Sequence, residues 1–241
     1  MKLSVVLPTY NEMSLGLYPR ILQRLKSVSE VEVIVVDRHS EDGTPELAQK
    51  QGFQVLSSES NSRAVRLNVG IAQASAPMIL LHHPRSLLLE GALEALLDVV
   101  ETTRPPSSSQ LWGGFTHQFD IEHPLLRFTS WYSNEVRAKR RGIIYLDHCI
   151  FAHRKLLGRA PFVPEVEIFE DTLLSEKLYR RAGAPLILRP ISQTSALRFQ
   201  RRGIWRQALL NQALKVGYHL NFPNTWMNRI YENRIWLNSK Q

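Results

Sequence analysis

Tyr10 and Asp37 stand at or just after the ends of two short apolar runs, Leu3 to Thr9 and Val31 to Asp37, where residue type and placing suit a ligand. A tyrosine ring at a strand end can lie against a planar base. A carboxylate at the neighbouring strand end can accept the imide N–H that distinguishes uracil or thymine. The nearby Asp42-Gly43-Thr44 reads equally as a tight turn with a helix cap. Further on, Ser62 suits an N-cap, with Arg63 in the first turn and Arg66 behind it. A positive helix end and a guanidinium together can hold a phosphate, although two arginines on a solvated helix face would look the same. His82 and His83 would point to opposite sides of an extended run, and hard cations such as Mg²⁺ prefer oxygen ligands. The single cysteine, Cys149, lies in the apolar stretch Cys149-Ile150-Phe151-Ala152 and reads as a buried thiol that behaves as a small hydrophobe.

The elements that position these residues follow from the apolar pattern. Leu3 to Thr9, Val31 to Asp37, Gln54 to Leu56 and Met78 to His82 are rich in Val, Ile and Leu and lack the alternation of a half-solvated sheet, so they read as buried parallel strands. Helical spacing lies between them, at Ile21, Leu22, Leu25 and Val28, at Thr44 to Gln51, and at Ala64, Leu67, Asn68 and Ile71. Right-handed crossovers then give an α/β fold, a parallel sheet covered by helices on both faces, with ligands expected outside the carboxyl ends of the strands. The second half predicts a helix from Leu88 to Val100, a loop at Arg104 to Ser109, and a strand from Leu111 to Phe119. A long helix from Leu125 to Arg140 follows, then a strand from Cys149 to His153 and a helix from Asp171 to Ala182 ended by Gly183. Gly203 to Leu220 reads as an amphipathic helix with Trp205, Leu209, Leu210, Leu214 and Tyr218 on one face. The expected division is a domain at 1–200 with a C-terminal helical extension at 201–241.

Pro8-Thr9-Tyr10-Asn11-Glu12 and Val35-Val36-Asp37-Arg38-His39-Ser40-Glu41-Asp42-Gly43-Thr44 resemble the P-x-Y-N-E and V-V-D-x-x-S-x-D-G-T segments of family 2 glycosyltransferases, at the family's spacing. The resemblance implies a GT-A-like fold that binds a nucleotide diphosphate sugar, UDP-type favoured. Pro8, Thr9, Tyr10, Glu12, Asp37, Arg63 and Arg66 would then lie at the nucleotide. Asn61 to Gly70 is similar to the segment that precedes the family's metal site. Members usually end the fourth strand with Asp-x-Asp, which holds a divalent cation against the diphosphate; here the run is His82-His83-Pro84-Arg85. Mg²⁺ or Mn²⁺ is therefore disfavoured. Three readings stay open: Arg85 with Arg63 or Arg66 standing in for the metal, a soft-metal variant, or binding without turnover. His82, His83 and Arg85 are placed near the diphosphate. Gly142 to His148 resembles a Gly-x-x-Tyr-Gly-Asp-Gln segment of one bacterial subgroup, described as the arsenosugar-biosynthesis type, with Asp147 matching and Leu146 and His148 departing. Glu170-Asp171-Thr172-Leu173-Leu174-Ser175 looks like the E-D-x-x-L-S helix start that carries the catalytic base of inverting members. The resemblance thus makes Asp171, with Glu170 and Asp147 beside it, the catalytic carboxylates; helix capping would also favour acids there. Thr194 to Gly203 resembles the subgroup's T-S-A-R-R-W-E-R-R-G stretch, so that Arg198 and Arg201 would close over the diphosphate or meet an acidic membrane face.

Composition sets the outer bounds. The chain has 241 residues, 44% hydrophobic and 22% charged, which are the proportions of a folded globular protein rather than a disordered or fibrous one. Lys and Arg number 30 against 22 Asp and Glu, a net +8 that favours anionic partners. No apolar run approaches the roughly 20 residues that span a bilayer, and the start, interrupted by Ser4 and Pro8, is too short for a secretory segment. A cytoplasmic location is expected, with peripheral contact to the inner membrane face left open. Two rivals to a transferase with an unknown acceptor remain, a catalytically inactive nucleotide- or sugar-binding protein and a basic adaptor for anionic surfaces. No nucleic-acid motif is present.

Overall fold

The computed structural model describes residues 1–104 and 107–232, so Pro105 and Pro106 of the expected loop and the end of the extension lie outside the described residues. In chain order the elements are β1 (Leu3–Thr9), α1 (Tyr18–Lys26), β2 (Val31–Asp37), α2 (Thr44–Lys50), β3 (Gln54–Ser57), α3 (Arg63–Gln73), β4 (Met78–Leu81) and β5 (Ser86–Leu88). They continue with α4 (Ala92–Thr102), β6 (Trp112–Phe119), α5 (Pro124–Trp131), a π-helical segment (Tyr132–Ala138), α6 (Lys139–Arg141), β7 (Ile150–His153), α7 (Arg154–Leu157) and α8 (Glu170–Ala182). Last come β8 (Leu186–Thr194), α9 (Leu197–Arg202), α10 (Ile204–His219) and α11 (Asn224–Glu232). One eight-stranded sheet runs β3-β2-β1-β4-β7-β6-β8-β5. Its first half is parallel, with β1 between β2 and β4; β7 then pairs antiparallel with both β4 and β6.

The apolar runs are continuous because both faces of the parallel half are covered. Leu3, Val5 and Leu7 of β1 pack on one face with Ile21, Leu22 and Leu25 of α1 and Leu93 and Leu96 of α4. Val6 points the other way, into a cluster with Ala64, Leu67 and Ile71 of α3 and Leu174 and Leu178 of α8. Gly70 lets α3 lie close on β1, since a Cβ there would come 2.3 Å from a Val6 methyl. That approach fixes the start of α3, and with it Arg63 and Arg66, beside the strand ends. β4 stops at Leu81, paired with Val6, so Pro8 lies beyond the last β1–β4 pair, where its missing N–H costs no ladder bond. A crevice opens at that point.

Several elements differ from expectation. The helix expected from Leu88 begins at Ala92, because Ser86–Leu88 pairs with Thr194, Gln193 and Ser192 of β8 and Gly91, at φ +81, turns the chain into α4. A short apolar run does not distinguish a strand from a buried helical turn. The helix expected over Leu125 to Arg140 is continuous in space but passes through the π-helical segment, which buries Ser133, Asn134 and Arg137. Asn134 brackets β6, accepting from the His117 N–H at 2.8 Å and donating to its carbonyl at 2.9 Å. The apolar stripe of α10 faces inward only in part: Leu214 is buried, with Gln207 and Gly217 beside it, whereas Trp205 and Leu209 are 71% and 72% exposed. The expected break after residue 200 falls within α9. No described helix is long and apolar enough to cross a membrane.

Candidate active site

A cavity of about 620 Å³ opens at the carboxyl ends of β1 and β4 and is closed on its far side by the second half of the chain. The loops after β1 and β2 form its near wall and are tied to each other. Asn11 N–H donates to Ser40 Oγ at 2.8 Å, Glu12 N–H to Thr44 Oγ1 at 2.9 Å, and Met13 N–H to Asp42 Oδ2 at 2.9 Å. Asp42 also accepts from the N–H and hydroxyl of Thr44, the first residue of α2, so Asp42-Gly43-Thr44 forms the expected tight turn, with Gly43 at the N-cap offering no side-chain bond and Asp42 pinning the neighbouring loop as well. Pro8, Tyr10 and Glu12 reach the cavity, as does Arg38, whose guanidinium lies 4.5 Å from the centre of the Tyr10 ring.

Asp37 and Thr9 do not line the cavity, which corrects their expected placement at the nucleotide. Asp37 is 2% exposed, and its oxygens accept from Thr9 Oγ1, Ser40 Oγ and Ser40 N–H, each at 2.7 Å. A strand-end carboxylate in the interior must be compensated, and here the two strand termini compensate it themselves.

Six arginines line the cavity: Arg38, Arg63, Arg66, Arg85, Arg137 and Arg198. Arg63 donates from Nε to Glu170 at 2.6 Å. Arg66 bonds the Ser60 carbonyl at 2.8 Å, and burial, followed by the charges of Arg63 and Arg38, pushes it down to about 10. Arg85 lies 3.5 Å from Glu12, whose carboxyl burial raises despite that partner. Cations crowded at this spacing are relieved by an anion. Arg198 lies against Tyr231 at 4.7 Å. His83 lines the cavity, whereas His82, one residue past the end of β4 at Leu81, is 1% exposed with Nδ1 on the His83 carbonyl at 2.9 Å and is not part of the cavity wall. Arg201 is exposed and off the cavity wall. The diphosphate roles expected of His82 and Arg201 are corrected accordingly.

Carboxylates also line the wall: Glu12, Asp147, Glu167, Glu170 and Asp171. Asp171 accepts the Leu146 N–H at 3.0 Å and the Thr172 N–H at 2.8 Å, and burial, together with Glu170 beside it, raises its carboxyl to about 6. Its carboxyl therefore holds its proton closer to neutrality than an ordinary aspartate does. Glu170 is the buried partner of Arg63. Asp147 lies 3.5 Å from His117 Nε2 and 3.9 Å from His148 Nε2. Burial opposes its ionisation, but His117, His148 and Arg137 outweigh that and hold its carboxyl well below the usual range.

The cavity also gathers residues that the sequence pattern did not single out, among them Arg38, His117, Arg137, Tyr145 and Lys215. Arg38 adjoins Asp37 and was within reach of the same motif. Arg137 owes its inward aim to the π-helical segment, which helical periodicity does not reveal.

Comparison with known proteins places this geometry. The model of "Glycosyl transferase family 2" matches residues 4–159. No curated protein matches the chain. Among solved structures, S. aureus TarS in complex with UDP superposes with a TM-score of 0.65 at 21% identity, over 81% of this chain and 61% of that one. Glucosyl-3-phosphoglycerate synthase from Mycobacterium tuberculosis, with Mn²⁺, UDP and glucosyl-3-phosphoglycerate, gives 0.57 at 19% identity over 80% and 70%. The mannosyltransferase PcManGT from Pyrobaculum calidifontis, with GDP-Man and Mn²⁺, gives 0.57 at 20% over 80% and 56%. The chain spans about three fifths of the TarS 1-349 structure that it matches. These likenesses carry the fold, which is that of the GT-A glycosyltransferases. With a family model matched over well more than half of its length, the chain belongs to glycosyl transferase family 2.

Proposed function

We propose that this protein transfers a sugar, with inversion, from a nucleotide diphosphate sugar of the UDP type to an acceptor hydroxyl. The observation that carries the reading is the meeting, in one cavity at the strand carboxyl ends, of the clustered arginines Arg63, Arg66 and Arg85 with the carboxylate of Asp171. Asp171 takes the proton of the acceptor hydroxyl as that oxygen attacks the anomeric carbon; the bond from that carbon to the phosphate oxygen breaks, and its electrons leave with the diphosphate. Arg63, Arg66, Arg85 and Arg198 stabilise the leaving charge, a contribution that is usually the largest single one. Glu170 is a positioning residue that aims Arg63. Structural relatives are described with UDP, UDP-GlcNAc and GDP-Man, which supports the donor class. The bacterial subgroup assignment rests on the resemblances at 142–148 and 194–203.

The family's usual dication finds a poor donor set here. At the end of β4 the chain offers two imidazoles, one of them turned inward, then a proline and a guanidinium that faces Glu12, where a hard cation wants several oxygens. Among the described residues no group of three or more His, Cys, Asp or Glu is arranged to hold a metal. No step above runs through one. The reaction is tested by incubating the protein with UDP-sugars and following UDP release and the anomeric signal by NMR. Release with inverted product supports the reading. Tight UDP binding with no release from any donor supports instead the non-catalytic reading, which the missing Asp-x-Asp favours.

A further inference from the structure

The arginines around Arg63, Arg66 and Arg85 are not the cavity's only cations. Arg137, from the π-helical segment, and Lys215, from α10, face the same space. Among the described residues neither has a carboxylate within 4 Å. Arg137 is held by two contacts. Its guanidinium carbon lies 3.4 Å from the centre of the Tyr145 ring, and one Nη donates to Ser133 Oγ. Ser133 Oγ bonds His148 Nε2 at 2.6 Å, and His148 Nδ1 meets the Phe115 carbonyl at 2.8 Å. Because a carbonyl only accepts, the ring proton sits on Nδ1. Nε2 then accepts from the Ser133 hydroxyl, whose oxygen accepts from Arg137. This chain has one consistent direction and keeps His148 neutral, in agreement with burial pushing the imidazole down to about 3.

The arrangement leaves hydrogen-bonding capacity unspent. Arg137 Nε, both ring nitrogens of His117 and Asp147 Oδ1 are buried without a hydrogen-bond partner among the described residues. Burial, and then the charge of Arg137, lower the Lys215 ammonium to about 8, with Asp147 pulling the other way. Asp147, more than 4 Å from both, offsets the repulsion between these two half-buried cations only in part, and an anion placed between them relieves the rest. The strip Tyr145-Leu146-Asp147 links this pair to the proposed base, since Tyr145 stacks on Arg137 while the Leu146 N–H donates to Asp171. A molecule with its hydroxyl at Asp171 can therefore place a second group between Arg137 and Lys215.

We propose that the acceptor carries an acidic group, a carboxylate or phosphate monoester, and that Arg137 and Lys215 form the subsite that receives it. The inference rests on the transferase reading and names its acceptor class. Ser133 and His148 are positioning residues for Arg137. In the test, protein saturated with UDP is titrated calorimetrically with glycerol 3-phosphate, glycerate and uncharged glycerol. One or both acids bind and glycerol does not; the two acid arms separate phosphate from carboxylate. Lys215→Met weakens the acid by at least about tenfold while UDP affinity moves less than about twofold. Arg137→Lys, which keeps the charge but loses the planar stack, also weakens the acid while thermal melts report that the fold is intact. The proposal is overturned if neither acid binds, or if Lys215→Met weakens UDP as much as the acid, since the pair would then serve the donor diphosphate. Failure of UDP itself to bind tells against the transferase reading alone, because the acid arms repeated without UDP still read the Arg137–Lys215 pair.

Discussion

Replacing Asp171 with Asn separates proton transfer from architecture. An amide does not take a proton at neutral pH, so turnover should fall by roughly 10²–10⁴-fold, the usual worth of a positioned base and equivalent to about 3–5 kcal/mol of barrier. The stability effect is worked from two opposing parts. Asp171 accepts the N–H groups of Leu146 and Thr172 through different oxygens; Asn keeps one acceptor and turns an NH₂ toward the other donor, at a cost of about 1–3 kcal/mol. Against this, the native carboxyl titrates near 6 rather than its ordinary 3.8. A carboxyl raised in the folded state holds its proton more tightly there, so ionising it costs stability as pH rises through that window. Above it the cost is about 3 kcal/mol, which the neutral amide removes. The second part matches or exceeds the first, so Asp171→Asn should lose turnover without a drop in melting temperature. The assay is UDP release from a UDP-sugar, with water as acceptor where no better one is known. In the native protein kcat/KM should fall on the acid side near pH 6, and in the variant that limb should vanish. Near-native turnover accompanied by a drop in melting temperature would refute the reasoning, leaving Asp171 a structural cap and Asp147 the next candidate.

Asp37→Ala removes the acceptor of three hydrogen bonds, one from Thr9 at the end of β1 and two from Ser40 in the loop after β2, so urea unfolding should report a loss of about 3 kcal/mol together with weaker UDP binding. Lost affinity at unchanged stability would instead mean that Asp37 touches the base. Acid should destabilise the protein through its buried imidazoles. His148 and His82 are depressed from an ordinary 6.5 to about 3 and about 4, largely by burial. The stability they contribute is fully present above pH 6.5 and is lost as pH falls toward those values. Each contributes a slope of up to about 1.4 kcal/mol per pH unit, and His148→Gln should flatten the decline measured from about pH 7 to about pH 5. An unaltered slope in that variant would show that His148 does not carry the effect.

The parallel half of the fold was legible because burial on both faces writes itself into β1, β2 and β4 as unbroken Val, Ile and Leu. The start of α3 was legible from Ser62, which does accept the Val65 N–H. β8 was hidden, since Arg189, Pro190 and Gln193 interrupt its apolar pattern and its register with β6 shifts between Phe115 and Thr116. Of the site, Tyr10, Glu12, Arg63, Arg66, Arg85, Asp147 and Asp171 were found from motif positions and do line the cavity. Asp37 and His82 were misplaced for one reason. A strand-end residue has two sides, and only hydrogen-bond partners that are distant in sequence decide which side faces the ligand. Arg137 and Lys215 come from helices whose inward face is set by a π-helical segment and by the partly outward turn of the α10 stripe. Neither follows from periodicity alone.

The central claim is that a nucleotide diphosphate site here is built on arginine rather than on a metal held by Asp-x-Asp. Calorimetric titration of UDP, in EDTA and again in Mn²⁺, tests it most directly. The account predicts saturable binding with affinities that agree within about threefold in the two buffers, falling steeply with added salt as arginine contacts require. Loss of affinity by tenfold or more in EDTA, about 1.4 kcal/mol, or no UDP binding in either buffer, would contradict it.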